Sequence, residues 1–241
     1  MLDACRRMVA DGADLLDLGA ESTRPGHAAV DATEELARLV PVLRAVRAAL
    51  PDVPLSVDTR KPAVAAAALD EGADMLNDVA GVTGDGAIAA LAGARGVPYV
   101  LMHDRALATT PDIAAQVADD LAVAAARAAR LGCTTGSVIV DPGIGFGKDA
   151  AGNLRLMRDL ARLRAIGAPV LLGASRKSTI GRVLGLPPDE RLEGTLTTTA
   201  LAVAAHVDIV RVHDVRANRR VARMADAIVR GWHDPTGGGA A

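Results

Sequence analysis

Residues 15–26 read LLDLGAESTRPG, a short apolar run followed by a polar loop with two hydroxyls, a guanidinium and a Pro-Gly turn. The same form returns six more times. PLSV (54–57) ends on Asp58-Thr59, MLNDVA (75–80) carries Asn77-Asp78, and YVLM (99–102) ends on His103-Asp104. VIV (138–140) ends on Asp141-Pro142-Gly143, VLLGA (170–174) on Ser175-Arg176-Lys177-Ser178, and IVRV (209–212) on His213-Asp214. Helix-like sequence separates the runs. One polar cluster per strand, always at its C-terminal end, is how a parallel (β/α) barrel builds its active-site mouth. The expected fold is α/β, a (β/α)8 TIM barrel.

Working outward, residues 2–12 read as a short helix closed by Gly12, and Ala32–Leu50 is amphipathic with Leu36, Leu39, Val40, Leu43 and Val46 at helical spacing. Lys61–Glu71 opens with Pro62 near its first turn and closes at Gly72. Helices also fit Gly86–Ala94, Pro111–Leu131, Ala150–Ile166, Glu193–Ala205 and Val215–Arg230. The order is one helix and then seven strand–helix units. An eight-stranded barrel has a strand before that first helix, so the expectation is a barrel missing its first strand. Leu15–Ala20 and Ile209–Val215 should then flank the gap. Residues 1–233 are expected to form a single TIM-barrel domain and 234–241 a disordered tail.

Composition narrows the function. The 241 residues are 50% hydrophobic but only 1% aromatic, so Ala, Val and Leu must fill the core. A net charge of −2 gives no basic surface for nucleic acid or acidic membranes. Cys5 and Cys133 lie too far apart for a zinc pattern or a disulfide framework and fit a reducing cytoplasm. No stretch approaches a membrane span, and Arg6, Arg7 and Asp11 interrupt any signal-peptide layout.

The polar clusters suggest binding of an anion and of a further polar ligand. ESTRPG can hold an oxyanion through Arg24 and backbone N–H groups, although alone it could be a surface loop. Asp58 and Asn77 are residues a core would not choose, unless they cap the following helices. DPGIGFGK (141–148) has the wrong spacing for a Walker loop; its glycines suit a backbone passing close to a ligand held by Asp141. SRKS (175–178) brings two cations to the start of a helix. Arg211 and His213, two apart on a strand, share one face and suit a diphosphate, or else form a structural pair.

ESTRPG, VDT-x-KP, NDV, LMH, DPGIGFGK, GASRKS-x-IG and DIVRVHDV together resemble the bacterial dihydropteroate synthase family of pterin-binding barrels, in family order over nearly the whole chain. The resemblance implies a transferase of folate biosynthesis that joins a 7,8-dihydropterin hydroxymethyl diphosphate to p-aminobenzoate, giving dihydropteroate and pyrophosphate. It implies Mg2+, a homodimer and membership of an enzyme class that is a sulfonamide target. Carried over residue by residue, Asp58, Asn77, Met102, Asp141 and Lys177 would bind the pterin, and Thr23, Arg24, Arg211 and His213 the diphosphate. Thr23, Pro25, Phe146 and Ser178 would line the p-aminobenzoate site, with Arg24, Lys177, Arg211 and His213 as the catalytic set. His103 is assigned no role. The family's metal-holding Asn lies in an N-terminal segment that precedes the first residue here, so the metal ligand is unknown. Two other readings are a pterin-binding paralogue with little or no turnover and a folate-binding methyltransferase domain; Arg24, Arg211 and His213 argue against the latter.

Overall fold

The computed structural model describes residues 1–21, 30–108, 110–134 and 136–232. The expected tail from 234 onward lies outside them. Helix α1 (Leu2–Ala10) precedes β1 (Leu16–Gly19), and α2 (Ala32–Ala49) leads to β2 (Leu55–Asp58). Then follow α3 (Pro62–Asp70), β3 (Met75–Asp78), α4 (Ala87–Arg95), β4 (Tyr99–Met102), α5 (Ile113–Arg130) and β5 (Val138–Asp141). The last part holds α6 (Ala150–Arg158), β6 (Leu171–Leu172), α7 (Ser178–Leu184), α8 (Leu192–Ala204), β7 (Ile209–Val210) and α9 (Val215–Arg230).

The strands pair in sequence order and in parallel from β1 to β5, and β6 pairs with β7. A Val140–Val170 bridge carries the run from β5 to the segment entering β6. This is the (β/α) barrel order expected from the sequence. Among the described residues β1 pairs only with β2, and β7 only with β6, so no ladder joins the two outer strands. What connects them is a side chain, described below.

Two helical expectations need adjustment. The stretch read as one helix over Ala150–Ile166 is α-helical only to Arg158, after which Leu160–Ile166 winds as a 3-10 helix. The tightening starts at an Arg162 N–H to Asp159 carbonyl bond of i→i+3 type and ends on Gly167, whose φ is 77°. α7, implied by SRKS but given no bounds, is a separate seven-residue helix.

Strand alternation divides the interior into layers. Leu16, Leu18, Leu55 and Val57 point outward against α2 and α3, with Leu39, Leu43 and Val46. Leu76, Tyr99, Leu101, Val138, Val140 and Leu172 do the same for the later helices. Inside lies a small cluster of Val100, Ile139 and Leu171, with Met75 and Ile209 packed against it. Two residues further along each strand, on the same face, stand Asn77, Met102, Asp141, Gly173 and Arg211. The barrel thus has an apolar floor and a polar upper layer, each set by period-two patterning. Among the described residues no helix is long and apolar enough to cross a membrane.

Candidate active site

The polar layer centres on Arg211. Its Nη1 donates to Asp17 Oδ2 on β1 at 2.8 Å and to Asp58 Oδ2 on β2 at 3.1 Å. Asn77 on β3 donates through Nδ2 to the same Asp17 oxygen at 3.1 Å. Four side chains from the first, second, third and last strands therefore meet at one point. Burial lowers the proton affinity of the Arg211 guanidinium, but the charges of Asp17, Asp58 and Asp141 more than offset this and hold its pKa above the ordinary value. The Asp58 pKa is also raised, well above the usual carboxylate range, first by burial and then by the charge of Asp17. Asp17 Oδ1 and Asp58 Oδ1 are buried without a partner. Two acceptor oxygens left unmatched in a desolvated cluster call for a ligand that brings N–H donors.

Asp141 ends β5 in register with Met102, which is 1% exposed. Asp141 Oδ1 accepts from Gly143 N at 2.7 Å, fixing the carboxylate against its own turn. Gly143 has φ 65°, and a Cβ there would lie 2.0 Å from the His103 carbonyl oxygen. The glycine was expected to admit a ligand; what it admits is the backbone of the neighbouring β4 segment.

Lys148 then stitches this DPGIGFGK loop in place. Its ammonium donates to the carbonyls of His103 (3.1 Å), Gly143 (3.2 Å) and Phe146 (2.9 Å). Burial lowers its pKa to about 8, against the opposing charge of Asp141. His103, fully buried, is bound through Nε2 to Asp120 on α5 at 2.9 Å, and burial also lowers its pKa. The clamped loop presents Phe146, with Lys177 Nζ 4.8 Å from the ring centroid. Lys177 also donates to the Ile144 carbonyl.

The SRKS segment divides its labour. Arg176, in the left-handed region at φ 56°, is committed to Asp214 by bonds of 3.0 and 2.6 Å, so only Lys177 of the two cations turns to the pocket side. Ser175 Oγ contacts His213 Nδ1 at 2.9 Å and accepts from His213 N at 3.2 Å, pinning an exposed histidine at the rim. Ser178 is exposed at the first position of α7.

Glu21 anchors the base of ESTRPG. It accepts from Val30 N (3.0 Å), Arg60 (3.2 Å) and Lys61 (2.7 Å), and Lys61 also reaches the fully buried Glu35. Burial works against ionisation of Glu21, but these donors outweigh it and bring its pKa down to about 2. The backbone before Ser22 and after Ala29 is thus tied together by one carboxylate.

Of the residues named from sequence, Asp58, Asn77 and Arg211 join in one hydrogen-bonded cluster, and Asp141 acts on Arg211 through its charge. Met102, Lys177, Phe146, His213 and Ser178 stand at the ends of β4 to β7 or in the loops that follow. Thr23, Arg24 and Pro25 fall outside the described residues. The sequence reading set Arg211 beside His213 as a pair; in the structure Arg211 bonds to carboxylates while His213 bonds to Ser175. Asp17 was missed. Its signal was a lone charge between Leu16 and Leu18, inside a strand whose other residues are apolar or Gly. Lys148 and Glu21 were seen only as parts of motifs.

The strand ends of a parallel barrel thus carry a part-buried carboxylate–arginine–carboxamide cluster, which marks the class of barrel proteins with a polar site at the strand C-termini. The pterin-binding enzyme family matches residues 1–213. The dihydropteroate synthase of Clostridium beijerinckii is 42% identical over 226 residues, covering 93% of this chain and 84% of that protein. The crystal structure of the Thermus thermophilus dihydropteroate synthase in complex with 6HMPPP is 46% identical, with a TM-score of 0.85 over 94% of this chain and 87% of that one. The Xanthomonas albilineans dihydropteroate synthase with 4-aminobenzoic acid is 39% identical, with a TM-score of 0.89 over 94% and 83%. This chain belongs to the dihydropteroate synthase family of pterin-binding enzymes.

Proposed function

We propose that this protein condenses a 7,8-dihydropterin hydroxymethyl diphosphate with p-aminobenzoate, giving dihydropteroate and pyrophosphate. The observation that carries the reading is the meeting of Asp17, Asp58, Asn77 and Arg211 at the barrel mouth, with two carboxylate oxygens left without donors. An amino-pyrimidinone edge supplies N–H donors for Asp58, Asp141 and Asn77 Oδ1, and an acceptor for Lys177. Met102 packs against the ring. Arg24, Arg211 and His213 offset charge on the diphosphate as its bond to the methylene carbon breaks, and pyrophosphate leaves with the electron pair. The electron-rich ring stabilises the cationic methylene. The aniline nitrogen of p-aminobenzoate attacks it, forming the C–N bond and releasing a proton. Thr23, Pro25, Phe146 and Ser178 are assigned to the second substrate.

Mg2+ belongs to this proposal as the counter-ion of the diphosphate. Among the described residues no group of three or more His, Cys, Asp or Glu side chains could hold an ion. These residues offer no protein cage, which suits a cation bound chiefly through substrate phosphates. Cys5 and Cys133 are both free and buried, in keeping with a cytoplasmic setting. A second copy of the chain is proposed to cover the groove of about 660 Å³ between α6, α7 and α8, where Leu154, Val183, Leu184 and Leu201 are all exposed. Leu201→Glu should then yield monomers in sedimentation analysis.

Pyrophosphate release measured with both substrates and Mg2+ tests the reaction. Release that depends on both substrates supports it; tight pterin binding without release leaves a binding paralogue.

A further inference from the structure

Asp17 sits at the geometric centre of the cluster, yet no role has been given to it. Leu16 and Leu18 on either side are buried outward in the helix-facing core, so strand alternation turns Asp17 inward. One oxygen, Oδ2, accepts from both Arg211 Nη1 (2.8 Å) and Asn77 Nδ2 (3.1 Å). A carboxylate only accepts, so this contact decides which end of the Asn77 carboxamide faces β1: the amide nitrogen does, and Oδ1 remains as an acceptor. The guanidinium is held on its other side by space. A Cβ at Gly173 would lie 3.3 Å from Arg211 Nε and 3.4 Å from Nη2, so the missing side chain gives the guanidinium its seat.

We propose that Asp17 is the positioning residue of the pocket, fixing Arg211 over Gly173 toward the diphosphate and orienting the Asn77 carboxamide toward the ring, so that the substrate is held in one pose. The proposal rests on the reading above that Asp58 and Asn77 bind the pterin and Arg211 its diphosphate. Asp17 acts through its two neighbours and through Asp58. Because Arg211 Nη1 bridges the two carboxylates, the arginine that Asp17 holds also occupies Asp58 Oδ2, and Asp58 Oδ1 is left for the ligand. The charged groups acting on Asp58 are Asp17 from β1, Arg211 from the end of β7 and Glu35 from α2. Asp17 and Glu35 oppose its ionisation and Arg211 favours it.

Two variants of the full chain separate positioning from mere support. Asp17→Ala removes both contacts, and Asp17→Asn keeps an oxygen for the two donors but deletes the charge. Calorimetry with the hydroxymethyl dihydropterin diphosphate should show Asp17→Ala weakened roughly 100-fold or more, as when one partner of a buried charge pair is lost. The KM for p-aminobenzoate should move less than about 3-fold, since the lost contacts face the other substrate. Asp17→Asn should recover most of the binding. It should also shift the acid limb of the kcat/KM profile to lower pH, because Asp58 loses a neighbouring negative charge and ionises more readily. A purely structural role would not move that limb. Thermal melts of both variants check that they fold, and Asp17→Asn serves if Asp17→Ala does not. If wild type binds the diphosphate and Asp17→Asn matches it in both affinity and acid limb, Asp17 is not a positioning residue. If wild type itself does not bind, the pterin reading fails and takes this proposal with it.

Discussion

Two half-buried cations stand at the same end of this barrel and are treated in opposite ways. Arg211 lies among the carboxylates of Asp17, Asp58 and Asp141, and its pKa is held up. Lys148 lies among three backbone carbonyls, and burial brings its pKa down to about 8. Carbonyls satisfy the hydrogen-bonding capacity of an ammonium but bring only partial charge, so desolvation wins. Carboxylates bring whole charges, and attraction wins. The carbonyl cage uses up every donor and is a structural staple for one loop. The carboxylate cage leaves oxygens unmatched and is a binding site in waiting.

Breaking the first cage should have the largest effect. Arg211→Met strands two inward carboxylates beside each other, and a broken buried pair costs about 3–5 kcal/mol. Pterin affinity by calorimetry should fall by at least ~100-fold, with a clear drop in melting temperature. Lys148→Met comes next and should invert the balance. It unpairs three carbonyls, at roughly 1–3 kcal/mol for each that stays buried and unmatched. Urea unfolding should report a loss of about 2–4 kcal/mol on that basis, while pterin affinity changes by less than it does in Arg211→Met. Equal effects on binding and stability in both variants would erase the distinction between the two cages.

A smaller perturbation sharpens the geometry of the first. Gly173→Ala puts a methyl 3.3 Å from Arg211 Nε. It should weaken pterin binding by roughly 10-fold, the effect of about 1.4 kcal/mol, while leaving the unfolding midpoint nearly unchanged. The effect on pterin binding should be smallest at the ESTRPG base, where the readout is stability. Glu21 ionises near 2 when folded against 4.5 as the reference, so its contribution is full above pH 4.5 and is lost as pH falls toward 2. Glu21→Gln should flatten that part of the acid unfolding curve and leave stability above pH 6 little dependent on pH by comparison. Asp58 contributes with the opposite sign. Its pKa is raised, so its contribution is full below the ordinary carboxylate range and declines as pH rises through the raised value. Asp58→Asn should remove that decline in a stability-versus-pH series.

Much of this was legible in the residues. Each strand announced itself by its apolar run, and Asp58, Asn77 and Asp141 stood out because polar groups at such positions need partners. Asp17 was not legible in the same way, because it sits inside its run rather than at the end, and its importance depends on Arg211, far along the chain. Lys148 was left without a role for a related reason: only the fold reveals three carbonyls turned toward it. The commitment of Arg176 to Asp214 likewise depends on a left-handed backbone at Arg176 that sequence does not report.

The bond between Arg211 and Asp17 spans 194 residues of chain, and that between Arg211 and Asp58 spans 153. A ribosome delivers Asp17, Asp58 and Asn77 early and the arginine that neutralises them near the end. Until then the nascent barrel holds a set of mutually repelling carboxylates with nothing to bridge them. The pocket is consequently the last part of the molecule to mature, and a chain arrested before Arg211 could fold several strand–helix units yet have no ring-binding site. Competence to bind the substrate therefore arises only once the segment that carries Arg211 has been made.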